Sequence, residues 1–242
     1  MEHHISIVMP VHNRVNFLTE AVESVLHQNH TNYELIIVVD GGPFPKIKEE
    51  LKTFENHSQI TILLHHERGG PGRAINAGAY IVKGEYFCRL DSDDKLLPDA
   101  IKTLNCYINK YPHVSYFYSS RYVIDEYSNI VLNDENFPQG IHRSKKFDKA
   151  LLHEEYHCNH LICWKRNDFL SIGGMKNNMF WAEDWDLALR MSERYLFQNI
   201  DESLYCVREH STDRLTCMIS DEEKNTVVQE MLACITKERA HS

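Results

Sequence analysis

Residues 85–94 read EYFCRLDSDD and lead from an apolar run into a cluster of acidic residues. The run at 85–90 predicts a short β-strand, and three carboxylates follow it within four residues. Carboxylates this close repel one another unless a cation lies between them. One interpretation is therefore a site for Mg²⁺ or Mn²⁺, which prefer oxygen ligands. The alternative is a solvated turn in which an aspartate caps the following helix.

The segments before this one alternate between strand-like and helix-like patterns, which is typical of a parallel sheet covered by helices. Strands are predicted at 5–9, 35–39 and 60–64, and helices at 17–26, 47–54 and 74–82. Later strands at 114–124, 130–132, 161–164 and 204–207 indicate a mixed sheet, and the chain closes with an amphipathic helix. Ligands of open α/β sheets bind beyond the carboxyl ends of the strands. Asp40 and Asp91 are both predicted to lie there.

Composition narrows the class of protein. The chain has 242 residues, 43% of them hydrophobic, and a formal net charge of −9, which excludes a disordered chain and disfavours general affinity for nucleic acid or anionic membrane. The seven cysteines form no C-x-x-C pair, and no apolar run reaches the ~20 residues of a membrane span. We expect a cytoplasmic protein with reduced thiols. Two questions stay open at this point: peripheral attachment to the inner face of the membrane, and the oligomeric state.

Five motifs occur in a characteristic order along the chain. They are IVMPVHNR at 7–14, ELIIVVDGG at 34–42, the glycine-rich stretch 70–78, LDSDD at 90–94 followed by Pro98-Asp99, and Gly173-Gly174 followed by WAEDWDLALR at 181–190. This set resembles a family-2 glycosyltransferase of the GT-A fold. The resemblance implies an α/β fold of the Rossmann-like type, a three-layer α/β/α sandwich with a mixed, mainly parallel central sheet. It also implies one domain over 1–242, with a nucleotide-sugar-binding half at 1–95, an acceptor-binding half at 96–215 and a C-terminal helix at 216–242.

The resemblance assigns the donor side. It implies contacts to a nucleotide-sugar, with a UDP-sugar favoured, from Pro10, Val11, Asn13, Arg14, Asp40, Arg73, Asn76, Asp91, Ser92 and Asp93. Asp93 is the preferred ligand of a Mn²⁺ or Mg²⁺ ion, Asp91 lies on the ribose or beside the metal, and Asp94 is a further ligand. His210 can join that site, or it can be incidental in a chain with 15 histidines. Asp40 can equally be a turn residue before glycine, and Arg73 with Asn76 can be an exposed arginine and a helix cap.

The resemblance also assigns the acceptor side. Asp184 is the general base of an inverting transfer, because an acceptor hydroxyl must lose its proton as it attacks. Glu183, Trp181 and Trp185 surround it on the acceptor side, where aromatic faces suit sugars. The alternatives are that both acids complement a helix N-terminus and that the tryptophans are core residues.

The predicted function is a metal-dependent, inverting transfer of a sugar from a nucleotide-diphosphate donor to a glycan or lipid-linked acceptor. One alternative is a sugar nucleotidyltransferase, which would need a basic, glycine-rich loop after the first strand, where this chain has Pro10-Val11-His12-Asn13. The other is a protein that kept the fold and binds sugar or nucleotide without catalysis.

Overall fold

The computed structural model describes residues 1–13, 15–42, 44–132, 138–209 and 220–240. Its strands are β1 (Ile5–Val11), β2 (Tyr33–Asp40), β3 (Ile60–His65), β4 (Tyr86–Arg89), β5 (Lys95–Leu96), β6 (Val114–Ile124), β7 (Ile141–His142), β8 (Cys163–Lys165) and β9 (Leu196–Arg208). Its α-helices are α1 (Leu18–Leu26), α2 (Phe44–Leu51), α3 (Pro71–Ile81), α4 (Ala100–Lys110), α5 (Lys149–Leu152), α6 (Arg166–Ser171), α7 (Glu183–Ser192) and α8 (Asp221–Ala240).

The strands form one sheet in the order β3-β2-β1-β4-β8-β6-β9-β5, with β7 paired to β6. The long strands pair in parallel, β1 with β2 and β4, β2 with β3, and β6 with β9. The antiparallel pairs all involve one of the short strands β5, β7 and β8. The predicted mixed, mainly parallel sheet is thereby confirmed.

Helices cover both faces of the sheet because the strand side chains alternate. In β1, Ile7 and Met9 pack on one face in a core with α1, α2 and α4, whereas Val8 packs on the opposite face in a core with α3, α6, α7 and α8. This two-residue period is what a strand buried on both faces requires. The three-layer α/β/α arrangement expected from the sequence is therefore present.

Several element boundaries differ from the sequence expectation. Helix α3 begins at Pro71 rather than at residue 74, because a proline fits the first turn, where its missing N–H has no partner in any case. Residues 130–132 form no strand beyond an isolated bridge between Ile124 and Ile130. Strand β8 starts at Cys163, since Leu161 has a positive φ of 23°. Strand β9 begins at Leu196 instead of 204, and the short strands β5 and β7 were not predicted.

The topology brings the candidate site residues to one edge. Strands β1, β2 and β4 are parallel neighbours, so the loops after Val11, Asp40 and Arg89 leave the sheet at the same side. Strand β8 is antiparallel to both β4 and β6, so β6 and its parallel partner β9 also end at this edge, the latter at Arg208. Within the described ranges, no helix is long and apolar enough to cross a membrane.

Candidate active site

A cleft of about 660 Å³ opens at this carboxyl edge of the sheet. Residues predicted for the donor side and for the acceptor side line it together: Pro10, Val11, Asn13, Asp40, Asp91, Ser92, Asp93, Asp94, Trp181, Glu183, Asp184 and Trp185. Arg73 and Asn76 do not line the cleft. Arg14 and His210 lie outside the residues that the structure describes. The two predicted half-sites thus share one cavity.

Asp40, the last residue of β2, holds the glycine turn formed by Gly69 and Gly70. Its buried carboxylate accepts hydrogen bonds from the backbone N–H groups of Gly69, at 2.9 and 3.0 Å, and Gly70, at 2.7 Å. Gly70 has a φ of 85°, a conformation that favours glycine. A Cβ atom at Gly70 would also lie 3.0 Å from the ring of Phe180. Asp40 therefore fixes the turn that leads into α3, and its contact with a base remains a prediction.

Asn76 links α3 to the segment that leads to Phe180 and Trp181. Its Nδ2 donates to the carbonyl of Met175 at 2.8 Å, and its Oδ1 accepts from the N–H of Met175 at 2.9 Å. The side chain of Arg73 folds over Gly69, where an added Cβ would lie 2.0 Å from Arg73 Cδ. Donor contacts from these two residues remain predictions.

Strand β9 holds the acidic loop, residues 90–94, which follows β4. The Tyr205 hydroxyl donates to Asp94 Oδ2 at 2.8 Å and accepts from the N–H of Asp91 at 3.1 Å. The N–H of Arg208 donates to Asp94 Oδ1 at 2.8 Å, and Arg208 Nε donates to the carbonyl of Asp93 at 2.9 Å. Burial, reinforced by the charges of Asp93 and Asp91, raises the pKa of Asp94 well above its usual range. Both carboxylate oxygens of Asp94 are thus engaged by β9.

Arg208 is the centre of a buried polar network beneath this loop. Its side chain is fully buried, pairs with Glu20 on α1, and lies over the ring of Phe17 with 4.4 Å from the guanidinium carbon to the ring centroid. A second cation, Lys95, binds the other oxygen of Glu20 at 2.6 Å. The ion pair compensates the cost of burying the arginine. The loop carrying Asp91 and Asp93 therefore rests on a rigid support.

Asp184 is the second residue of α7 and lines the same cleft as Asp40. The residue before the helix, Ala182, has a left-handed φ of 60°, which sets the direction in which α7 leaves the cleft. The carboxylate of Asp184 accepts from the N–H of Trp185 at 2.8 Å. Burial raises its pKa to about 7, assisted by the charge of Glu183 and opposed by Arg89. A carboxylate with this pKa takes up a proton readily near neutral pH.

The aromatic residues near Asp184 have distinct roles. The indole N–H of Trp185 donates to the carbonyl of Leu152 at 2.7 Å, and its ring stacks on Tyr156 at 6.1 Å between centroids. Phe180 is 45% exposed and lies under the guanidinium of Arg68 at 5.6 Å. Trp185 is consequently fixed by the protein, whereas Phe180, the residue before Trp181, remains partly exposed.

Several residues of the cleft were not singled out from the sequence: Arg68, Arg89, Arg121, Tyr156, Asn159, His160 and Phe180. Arg89 had a usable signal, since residues two apart on a strand project to the same side and Asp91 follows it by two. Asn159 and His160 had none, because they come from a stretch without a recognisable motif. Arg121 Nη1 binds both of them, at 2.6 and 2.8 Å, and so ties this stretch to β6.

The carboxylate oxygens of the cleft suit a hard divalent cation that is bound together with a substrate. Among the described residues, no group of three or more His, Cys, Asp or Glu side chains is arranged to hold a metal ion by itself. Asp91 and Asp93 nevertheless bring two carboxylates to the cleft. Mg²⁺ is typically bound by one or two carboxylates plus the phosphates of a substrate. The residues present therefore fit Mg²⁺ or Mn²⁺ bound jointly with a diphosphate.

Known proteins resemble this chain in sequence. Chondroitin synthase of Escherichia coli is 27% identical over 201 residues, which cover 83% of this chain and 28% of that protein. Hyaluronan synthase of Pasteurella multocida is 25% identical over 224 residues, covering 93% of this chain and 22% of that protein. An uncharacterised glycosyltransferase of Rickettsia prowazekii is 31% identical, covering 76% of this chain and 57% of that protein. The chain thus spans about a quarter of the length of the two synthases.

Solved structures share the fold. TarS of S. aureus in complex with UDP-GlcNAc superposes with a TM-score of 0.77 at 15% identity, covering 96% of this chain and 66% of that one. The structure of TarS with UDP gives a TM-score of 0.72. These similarities confirm the GT-A type of fold expected from the motifs.

The sequence profile described as glycosyl transferase family 2 matches residues 6–167, which include β1 to β8. This match covers more than half of the chain and contains the acidic loop, the glycine turn and the end of β2. The resemblance deduced from the five motifs is confirmed. The chain belongs to glycosyl transferase family 2, a family of enzymes that transfer sugars.

Proposed function

We propose that this cleft binds a nucleotide-diphosphate sugar, with a UDP-sugar favoured, and transfers the sugar with inversion to a hydroxyl of a glycan or lipid-linked acceptor. The observation that carries the proposal is that Asp93 and Asp184, far apart in sequence, line the same cleft. One lies on the loop expected to face a diphosphate, and the other has the raised pKa of a base that works near neutral pH.

The preference for a UDP-sugar draws support from the relatives. TarS, whose fold this chain shares, binds UDP-GlcNAc and UDP. Family members with chondroitin synthase and hyaluronan synthase activity are similar over most of this chain. In the proposed complex, the nucleotide lies along Pro10, Val11, Asn13 and Asp40, and the diphosphate lies over the acidic loop.

Asp93 is the residue that would hold Mn²⁺ or Mg²⁺ directly, and Asp91, whose two oxygens accept hydrogen bonds from Arg89, would lie beside the metal or on the ribose. The ion, when bound, would neutralise negative charge on the leaving diphosphate. Asp94 remains proposed as a further contact only through its place in the loop, since both of its oxygens accept hydrogen bonds from β9. The support from Tyr205 and Arg208 keeps the loop in place without reorganisation, and preorganised charges of this kind are what make electrostatic catalysis effective.

Asp184 acts as the base in this proposal. The acceptor oxygen attacks the anomeric carbon from the face opposite the diphosphate, and the bond between that carbon and the phosphate oxygen breaks. The proton of the acceptor hydroxyl passes to the carboxylate of Asp184. Trp181 and Phe180 border the acceptor side, where their faces can stack on sugar rings and exclude water.

The location of the reaction is part of the proposal. Transfer takes place in the cytoplasm or at the inner face of the membrane. With a net charge of −9, the chain is not drawn to anionic lipid by general electrostatics. A lipid-linked acceptor or a partner would therefore bring it to a membrane.

The test is thermal stabilisation by UDP-, GDP-, dTDP- and CMP-sugars, each with Mn²⁺, Mg²⁺ or a chelator, followed by a transfer assay with the best donor. A ligand at ~100 times its Kd adds about 2.7 kcal/mol to the free energy of unfolding. We expect a metal-dependent shift with UDP-sugars that Asp93→Ala abolishes. The control Asp221→Ala removes an exposed carboxylate on α8 and should keep the shift. Absence of a shift with every donor would overturn the proposal.

A further inference from the structure

Arg89 lies between the two carboxylate motifs of the cleft. It is the last residue of β4, and its Nε donates to Asp91 Oδ1 at 2.7 Å while Nη2 donates to Asp91 Oδ2 at 3.3 Å. Its remaining nitrogen, Nη1, donates to Glu183 Oε1 at 2.9 Å. One guanidinium group thus joins the acidic loop to the first residue of α7.

The pairing is shielded from water. Only 16% of the Arg89 side chain and 6% of the Glu183 side chain are exposed. Charges removed from water must be closely paired, and loss of one partner leaves the other buried without compensation. The planar fork of arginine can bind one carboxylate through two nitrogens and a second through the third, which the single ammonium group of lysine cannot reproduce.

We propose that Arg89 is a positioning residue that holds Asp91 and the start of α7, and through α7 the base Asp184, in one fixed arrangement. This inference rests on the proposed function of the cleft. Asp91 is fixed by its two bonds to the guanidinium. Asp184 directly follows Glu183, the first residue of α7, so the bond from Arg89 to Glu183 fixes the end of the helix on which Asp184 lies.

Arg89 also contributes to the charge balance around Asp184. On α7 itself, Glu183 is the adjacent acid, and from the acidic loop the charge of Asp91 acts in the same direction, raising the pKa of Asp184. Tyr116 on β6 and Tyr156 lie close enough to interact electrostatically with Asp184. His160, Arg89 and Asp184 line a small pocket of about 50 Å³. Arg89 is the cation that opposes the two acids.

Two substitutions separate position from charge. Arg89→Lys keeps the positive charge but loses the fork, and Arg89→Met keeps much of the side-chain volume but loses both. The matched control is Arg166→Met. Arg166 also uses its guanidinium for structure, donating to the carbonyls of Ala79 at 2.8 Å and Tyr80 at 2.9 Å, but it does not line the cleft.

The first readout does not depend on transfer activity. The pKa of Asp184 is measured by NMR in protein labelled with ¹³C at the aspartate carboxyls, with the Asp184 signal assigned by its loss in Asp184→Asn. We expect the pKa of Asp184 to rise above its wild-type value in Arg89→Met, to change little in Arg89→Lys, and to stay the same in Arg166→Met. An unchanged pKa in a folded Arg89→Met protein would overturn the electrostatic part of the inference.

The second readout is steady-state kinetics. Misplacement by about 1 Å can cost 10²-fold in rate, so we expect Arg89→Lys to lower kcat by about that factor with little change in the KM for the donor. Full activity of Arg89→Lys would overturn the positioning role. This measurement decides the question even if Arg89→Met fails to fold. If the wild type transfers no sugar, the proposed function fails, while the NMR titration still tests Arg89.

Discussion

The hydroxyl group of Tyr205 bonds both ends of the acidic loop. It accepts a hydrogen bond from the N–H of Asp91 and donates one to the carboxylate of Asp94. A single side chain on β9 therefore closes the turn that carries Asp93 between those two residues.

Tyr205→Phe should destabilise both the fold and the loop. The substitution leaves a buried carboxylate and a backbone N–H without this partner, and each such loss costs about 1–3 kcal/mol. Urea unfolding measures the stability, and Mn²⁺ titration followed by electron paramagnetic resonance measures the weaker metal binding that we expect. Tyr86→Phe is the control, because the hydroxyl of the buried Tyr86 makes long contacts of 3.4 Å with the carbonyls of Pro112 and Val114. Equal losses in the two variants would contradict a special role for Tyr205.

Asp184→Asn should lower kcat by about 10²–10⁴-fold, the range for general-base catalysis. In the wild type, kcat/KM should rise with pH through an apparent pKa of about 7, because the base must lose its proton before it can accept one. The residual kcat/KM of the variant should not show this rise with pH. Retention of full transfer activity by Asp184→Asn would show that another group takes the proton.

The same substitution should increase stability at alkaline pH. The pKa of Asp184 is about 7 in the folded protein and about 3.9 in an unfolded chain. Between these values the folded state binds more protons, so the free energy of unfolding falls as pH rises, by up to about 1.4 kcal/mol per pH unit.

Because asparagine does not titrate, Asp184→Asn removes this fall in the free energy of unfolding with rising pH. Its free energy of unfolding should exceed that of the wild type at pH 8, by an amount on the order of a few kcal/mol, and should match it near pH 4. Asp221→Asn, an exposed aspartate on α8, should leave the pH dependence unchanged. Parallel stability curves for wild type and Asp184→Asn across this range would argue against a raised pKa.

Gly70→Ala and Gly173→Ala form a matched pair. Both glycines have positive φ, 85° and 83°, and Gly70 also has a ψ of 170°, a conformation almost restricted to glycine, so each alanine should cost about 1–3 kcal/mol of stability. At Gly70 the new Cβ also meets Phe180, at 3.0 Å, whereas at Gly173 no neighbouring atom of the described residues lies within 4 Å. Donor binding, measured by calorimetry, should weaken in Gly70→Ala alone. Equal donor affinity in both variants would mean that the turn held by Asp40 does not contribute to the donor site.

The sequence predicted the parts of the molecule that follow local rules. Strands β1, β2 and β4 are apolar runs that end at Val11, Asp40 and Arg89. Asn13, Asp40 and Asp91, at or just after these ends, line the cleft as expected. The strands it missed, β5 and β7, are two residues long and exist because β9 and β6 offer them partners. Pairing between distant segments leaves no local pattern, so these elements could not be predicted.

The same distinction holds in the site. Asp91, Asp93 and Asp184 stand in motifs, but Tyr205 and Arg208 act on the acidic loop from a strand more than a hundred residues away. Their sequence context is that of an ordinary buried strand. His160 reaches the cleft through a left-handed backbone conformation, φ 62°, that its sequence does not indicate.

The segment that carries Phe180 and Trp181 is held near both of its ends, by Asn76 at Met175 and Asn177 and by Arg89 at Glu183. Residues between those points can change in size and polarity while Met175 and Glu183 keep their bonds to α3 and β4. Under the proposed function, mutations within 177–181 would change the acceptor preference, whereas a change at Phe180 would also reach the glycine turn of the donor side, where a Cβ at Gly70 would meet its ring. This short span is therefore the natural place to diversify a library for altered acceptor use.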